Sequence, residues 1–408
     1  MKHPLLLLPV ITTLILGAAT ATARAQAPEP VPAPEYHTYM GNTHSHTSYT
    51  WSHGSQWQKG GMEVRNGVSY PKKDDVLKPN WKDIQGPPSR HFELAKANGF
   101  DFYIITDHSQ ESAFHPTSPD NPAWLDVKRS AAAATNANFV GIAGFEYSEN
   151  DGPDGKGHIN VFNSDTYLNA LEKGMDLHYL YKWLPTAKPN GAGPVVASFN
   201  HPGPTQYNSF DFRTPAATEM IAMFEIVTGA NFKENRLKGY INALDKGWKV
   251  APNAVLDNHG TDAIKTAKSR TYVLATAKTK EAILDAMKHR RVYAALCKTL
   301  ECRYTVNGQV MGSTLDAPAE LQFDIYINDS KTADPARKIT KIEILTNGGK
   351  VAKTYEPKPA HTVRWKPLIK EATGKYYFVR VWSAGGGDGK DPDPKSPVAY
   401  LAPVWTGR

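Results

Sequence analysis

His44 and His46, in THSHTSYTWSH, stand at H-x-H spacing, and His53 follows seven residues on. The apolar run FDFYIIT leads into Asp107 and His108, and FVGIAGF ends at Glu146. His158 sits in DGKGHINVFN, PVVASFN ends at His201, and NAVLDNHG carries Asp257 and His259. Neutral imidazole and carboxylate are the natural ligands of divalent metals. Such ions bring the pKa of water toward neutrality and clamp substrate oxygens, which is the chemistry of metal-assisted hydrolysis. Taken singly, each group has a plainer reading. Asp107 reads as a helix cap followed by a surface histidine, His158 as a loop residue, and His201 before Pro202-Gly203 as a turn. Taken together, successive apolar runs end in His, Asp or Glu, and burying unpaired carboxylates is expensive. Cations reverse that balance. His108 is then a ligand, and Asp107 is a ligand or the orienter of one, accepting a proton from attacking water or holding the network in register.

These groups need a scaffold that gathers strand ends. Strand candidates are YHTYMGN, FDFYIIT, FVGIAGFE, HINVFN, PVVASFN, IAMFEIV and SRTYVLA; helix candidates include Ser89–Asn98, Trp124–Ala137 and Thr279–His289. Continuous apolar strands separated by helices indicate parallel βα units. About seven of them suggest closure into a barrel, whose strand C-termini share one face. The insertion Gly54–Pro88 shows no clear periodicity and is a candidate lid. Glu225 and Asn231, in FEIVTGAN, could face the same bowl or be structural; His91 opens a helix pattern and reads as surface.

After Arg303, LQFDIYIN, KIEILTN, YYFVRVW and AYLAPVW alternate apolar with polar residues. They predict a small antiparallel β-sandwich over 304–408, with GGGDGKDPDP as a flexible loop and Trp365, Trp382 and Trp405 in its core. At the other end, Met1-Lys2-His3, the 15-residue apolar run Leu5–Ala19 and Ala23-Arg24-Ala25 have the form of a secretory signal over 1–25. A Pro-rich leader (26–35) follows. The expected location is exported, periplasmic or secreted, with no stable membrane span after signal removal. Removal lowers the formal charge from +7 to +5, with Lys and Arg scattered. That is compatible with an anionic small-molecule substrate and offers no nucleic-acid stripe. Cys297 and Cys302 are the only cysteines; they either close a small disulfide loop or remain thiols, and lack the second pair of a zinc site.

In this order, HSH, ITDH, GFE, the His before INVFN, NHP and DNH resemble the motifs of the PHP (polymerase and histidinol phosphatase) family, over about Tyr36 to Arg303. SRTYVLATAKTKEAILDAMKHRRVYA and VNGQVMGS resemble an exported branch with a C-terminal β-domain. The resemblance implies a distorted (β/α)7 TIM-like barrel over 36–303 with two or three divalent ions (Zn, Mn or Fe). It carries the ligand role to His44, His46, His108, Glu146, His158, His201, Asp257 and His259, with Glu146 bridging two metals and catalytic with Asp107. Family members often have His or Asp about six residues after H-x-H. That place is Ser52 here, and His53 beside it fills the role only through a one-residue shift. The implied activity is phosphoester hydrolysis by hydroxide held between the metals. Two other readings stand beside it: an amidohydrolase-type enzyme acting on esters, lactones or amides, which would want a carboxylated Lys where Glu146 stands, and a non-catalytic metal-containing binding module.

Overall fold

A computed structural model describes residue 1 and residues 35–407, except 52–53, 61, 66–67, 150–155, 230 and 389–392. The signal and leader expectations, and His53, therefore lie outside the described residues. The main strands are β1 (His37–Asn42), β2 (Phe102–His108), β3 (Val140–Glu149), β4 (Gly157–Phe162), β5 (Val196–Asn200), β6 (Ile221–Thr228), β7 (Ala251–Val255), β8 (Arg270–Ala275) and β9 (Val292–Ala295). They lie in one sheet in the order β7-β6-β5-β4-β3-β2-β1-β8-β9. The pairs β1/β2, β2/β3, β5/β6 and β6/β7 are parallel.

Two expectations are corrected here. The chain is not a run of parallel units: β4 enters antiparallel between β3 and β5, and β8 and β9 are antiparallel additions beside β1. No helix separates β3 from β4 among the described residues, so the chain has no crossover with which to keep β4 parallel. Nor does the sheet close by strand pairing among the described residues. The segments following β7 and β1 meet instead, through an isolated Ser45–Asn258 bridge, Asp257 N to His44 O (3.1 Å) and His46 N to Asn258 O (3.0 Å). That contact lies on the side of the sheet where the histidines cluster.

Strands β2 and β3 are buried along their whole length because both faces are covered. Phe102, Ile104, Val140 and Ile142 share a core with Ile283, Leu284 and Met287 of the helix Lys280–Lys288. Tyr103, Ile105 and Ala143 pack with Phe92 and Ala95 of α1 (Pro88–Ala97) and Val127 and Ala131 of α2 (Pro122–Ala134). Each buried Val, Leu, Ile, Phe or Met side chain among them stabilises the fold by about 1.5–3 kcal/mol. Pro88 and Pro122 sit at helix starts, where no N–H is needed. Asn121 and Thr279 accept from the N–H groups of Trp124 and Ala282, fixing the next helix starts.

The insertion is not structureless: Met62–Arg65 and Val68–Pro71 form a hairpin. Its C-terminal end is a clamp. Gln85 Nε2 donates to the carbonyls of Thr47 and Thr50 at 2.9 Å. His91 is buried rather than on the surface, between Ser45 Oγ (3.2 Å) and the Gln85 carbonyl.

Beyond β9, Leu300–Val306 is one strand running through the 303/304 point. It pairs with Leu321–Asp329, which pairs with Thr362–Trp365. Facing them across a shared core are Ile339–Thr346 and Tyr376–Ser383, and the latter continues through Ala399–Leu401 onto β9. Trp382 and Trp405 are buried, while half-buried Trp365 stacks on Tyr355. Cys297 and Cys302 are buried thiols, which removes the disulfide alternative.

Candidate metal centre

Strand register builds the site. His108 lies directly opposite Glu146, Glu146 opposite Asn160, and His158 opposite Asn200. The histidine pair hangs from the loop after β1, and Asp257 and His259 from the loop after β7. His201 and Asp257 hold left-handed backbone, φ 33° and 49°, a costly conformation for a residue with a Cβ. Gly157, at φ +110°, has no Cβ to strike the Tyr207 ring. Tyr207 thereby reaches the His158 and Asn200 carbonyls with its hydroxyl, at 2.6 and 2.9 Å.

Glu146 is the hub. Its Oε1 lies 3.0 Å from His158 Nδ1 and 3.5 Å from His201 Nε2, and accepts from Asn200 Nδ2 at 2.8 Å. Its Oε2 lies 2.9 Å from His108 Nδ1 and 3.4 Å from both His44 Nε2 and His46 Nε2, yet makes no hydrogen bond of acceptable geometry to any of them. Asp257 Oδ1 lies 3.3 Å from His44 Nε2 and 3.1 Å from His46 Nε2. Three overlapping groups present ligand atoms within 4.8 Å of one another: His46, His108 and His259; His44, His46 and Asp257; His108, Glu146 and His158. Eight of the nine sequence candidates for metal ligation thus converge; His53 is the one outside the described residues.

The electrostatics fit cations. Burial would raise the Glu146 pKa, but His108, His44 and His158 more than offset it and hold that carboxyl well below its ordinary value. Burial, His259 and His108 hold His46 well below the usual imidazole range. Burial also opposes charge on His44, yet Glu225, Asp257 and Glu146 together raise its pKa well above normal. His44 Nε2 and His46 Nε2 face each other at 3.0 Å, a spacing at which two nitrogen lone pairs need a shared proton or cation. An orphaned carboxylate oxygen, facing imidazoles and a mixed N/O donor set together fit divalent metal.

Asp107 stands behind the cluster. Its carboxylate accepts from Thr47 N (2.6 Å), Thr47 Oγ1 (2.8 Å) and Thr50 Oγ1 (2.8 Å), and burial pushes its pKa up to about 6 against those bonds. Thr50 Oγ1 also touches His46 Nδ1, at 3.2 Å. Glu225 is a further member, accepting from His44 Nδ1 and His201 N, both at 2.7 Å. The signal for it was a lone carboxylate inside the apolar run IAMFEIV. Asn200 and Ser148, the latter 2.8 Å from His108 Nδ1, carried no sequence signal of their own beyond lying next to candidate ligands.

No protein-family model matches the chain, and no curated protein matches it. Among solved structures it is similar to a two-domain protein from Bacteroides vulgatus described as containing a predicted PHP-like metal-dependent phosphoesterase. The two share 15% identity over 93% of this chain and 100% of that one, with a TM-score of 0.45. An engineered protein aligns at 10% identity over 78% of this chain and 80% of its own, with a TM-score of 0.21.

Proposed function

We propose that this protein is an exported, multinuclear metal-dependent hydrolase of phosphate esters. The observation that carries the reading is Glu146: a fully buried carboxylate whose two oxygens face different sets of imidazoles. Such a carboxylate would suit a ligand shared between two ions, and the motif resemblance supports the same assignment. Bound divalent ions would supply Lewis acidity, acidify water and neutralise charge on substrate oxygens.

The chain's own residues do the rest. His44, His46, His108, His158, His201, His259, Asp257 and Glu146 would hold the ions. Glu225 fixes the His44 ring so that Nε2 points inward, and Ser148 bonds His108. Asp107, fastened by Thr47 and Thr50, keeps the H-x-H loop in register beside β2. His158, His201, Asp257 and His259 are the half-buried ligand candidates, so they are the ones a substrate would meet first. A Glu, not a Lys, links the two ligand sets, which disfavours the amidohydrolase alternative. The number of candidate ligands exceeds the four of a closed structural site, which disfavours a binding module.

The test is a screen of the metal-loaded protein on p-nitrophenyl phosphate, bis(p-nitrophenyl) phosphate, a lactone, a carboxylic ester and an anilide. Hydrolysis of a phosphate ester, lost to near background in Asp257→Ala, is expected. Turnover confined to the lactone, carboxylic ester or anilide, or full activity without metal, would overturn the reading.

A further inference from the structure

Strand β6 ends at Thr228 and is followed, beyond a short turn, by the helix Glu234–Asp245. Arg236, in the first turn of that helix, folds back and donates through Nη1 to Thr228 Oγ1. Thr228 is three residues beyond Glu225, the carboxylate that orients His44. It pairs in register with Val255, two residues before Asp257. The guanidinium is thereby drawn to the ends of the two strands that deliver Glu225 and Asp257 to the cluster.

Arg236 is half-buried there, and no carboxylate among the described residues lies within ion-pair distance of it. Its acidic helix neighbour Glu234 pairs with Lys238 instead, at 2.9 Å, and Glu225 is engaged by His44 and His201. Burial works against its charge, and the fields of Glu225 and Asp257 work the other way, consistent with a cation close to the centre. A guanidinium presents five donors in a planar fork that suits phosphate and carboxylate oxygens. Only one hydrogen bond from this fork falls on the protein among the described residues.

From this placement we infer that Arg236 is a specificity-determining residue that grips an anionic oxygen of the substrate beside the metal centre. The inference rests on reading the cluster as a hydrolytic metal site, and it narrows the substrate class to compounds carrying a phosphoryl or similar tetrahedral oxyanion. A neutral ester or lactone would leave the guanidinium without an acceptor.

The experiment is calorimetric titration of inorganic phosphate into metal-loaded wild type, Arg236→Gln and Arg236→Lys, with metal content measured on each sample. Expected is phosphate binding by wild type, weakened about tenfold or more in Arg236→Gln and by less in Arg236→Lys, at equal metal content. Equal phosphate affinity in all three proteins would overturn the inference, as would a metal-replete wild type that binds no phosphate. So would metal loss in Arg236→Gln that accounts for the whole drop, because it makes Arg236 a structural partner of Glu225 and Asp257. A wild type that holds no metal defeats the parent reading. The role of Arg236 is then judged alone: weaker phosphate binding in metal-free Arg236→Gln supports it, and unchanged or absent binding overturns it.

Discussion

The candidate metal-centre end of the main sheet and the C-terminal strands both bury charged groups, in different ways. In the C-terminal part, opposites meet. Glu343 accepts from Arg380 at 2.8 Å and lies 3.2 Å from Lys341. Arg337 touches Asp388 and Cys297, and Asp329 accepts from Thr299 at 2.8 Å. At the candidate metal centre, imidazoles crowd one another as well as their carboxylates: His46 stacks on His259 and His108 with centroids 4.1 and 4.5 Å apart, and buried Glu146 Oε2 lacks a hydrogen bond. The first region pairs its buried charges within the chain. The second presents a donor set that suits cations, and it holds left-handed backbone at His201 and Asp257 as well. A buried carboxylate oxygen left without a hydrogen bond among several imidazoles calls for a partner, and a cation would supply it.

The largest effect that sharpens this contrast is expected at Glu225. Glu225→Gln keeps the shape but gives His44 Nδ1 and His201 N only one good acceptor. Metal affinity should fall by about 10–100-fold, read by competition with a chelator, while the fold is retained. Unchanged affinity would make Glu225 a bystander.

A middle-sized effect concerns the buried support of the H-x-H loop. Burial pushes His91 down to about 4, opposed by its bond to the Gln85 carbonyl. The folded protein thus keeps the ring neutral, while the unfolded chain protonates it near 6.5. The stability it contributes is present above pH 6.5 and is lost as pH falls toward 4, by about 3 kcal/mol. In denaturant melts across that window, His91→Gln should show a flatter pH dependence than wild type. An identical slope would remove His91 from the account.

The smallest effect belongs to the C-terminal part. Asp324 and Arg364 form an exposed paired contact at 2.8 and 2.6 Å, and such pairs contribute little. Arg364→Ala should leave melting temperature and hydrolysis unchanged within error. A marked loss of activity would show that this remote face is coupled to the centre.

The polar ends of apolar runs were legible in the sequence because strands that are buried on both sides leave few other places for charge. Helix starts were legible within a few residues, since Pro88, Asn121 and Thr279 announce themselves locally. The antiparallel entry of β4 was not, and the register that sets His108 against Glu146 depends on long-range pairing that no local pattern encodes. Burial of His91 was hidden for the same reason: its partner Ser45 lies 46 residues away. Arg236 carries no local signal in the sequence, because its place is set by the contact its side chain makes with Thr228.

The most direct test is elemental analysis of the purified protein beside Glu146→Gln. The account predicts more than one equivalent of divalent first-row metal per wild-type chain, and loss of more than one ion from the single substitution. A wild-type protein that stays metal-free after incubation with zinc, manganese and iron salts would contradict it.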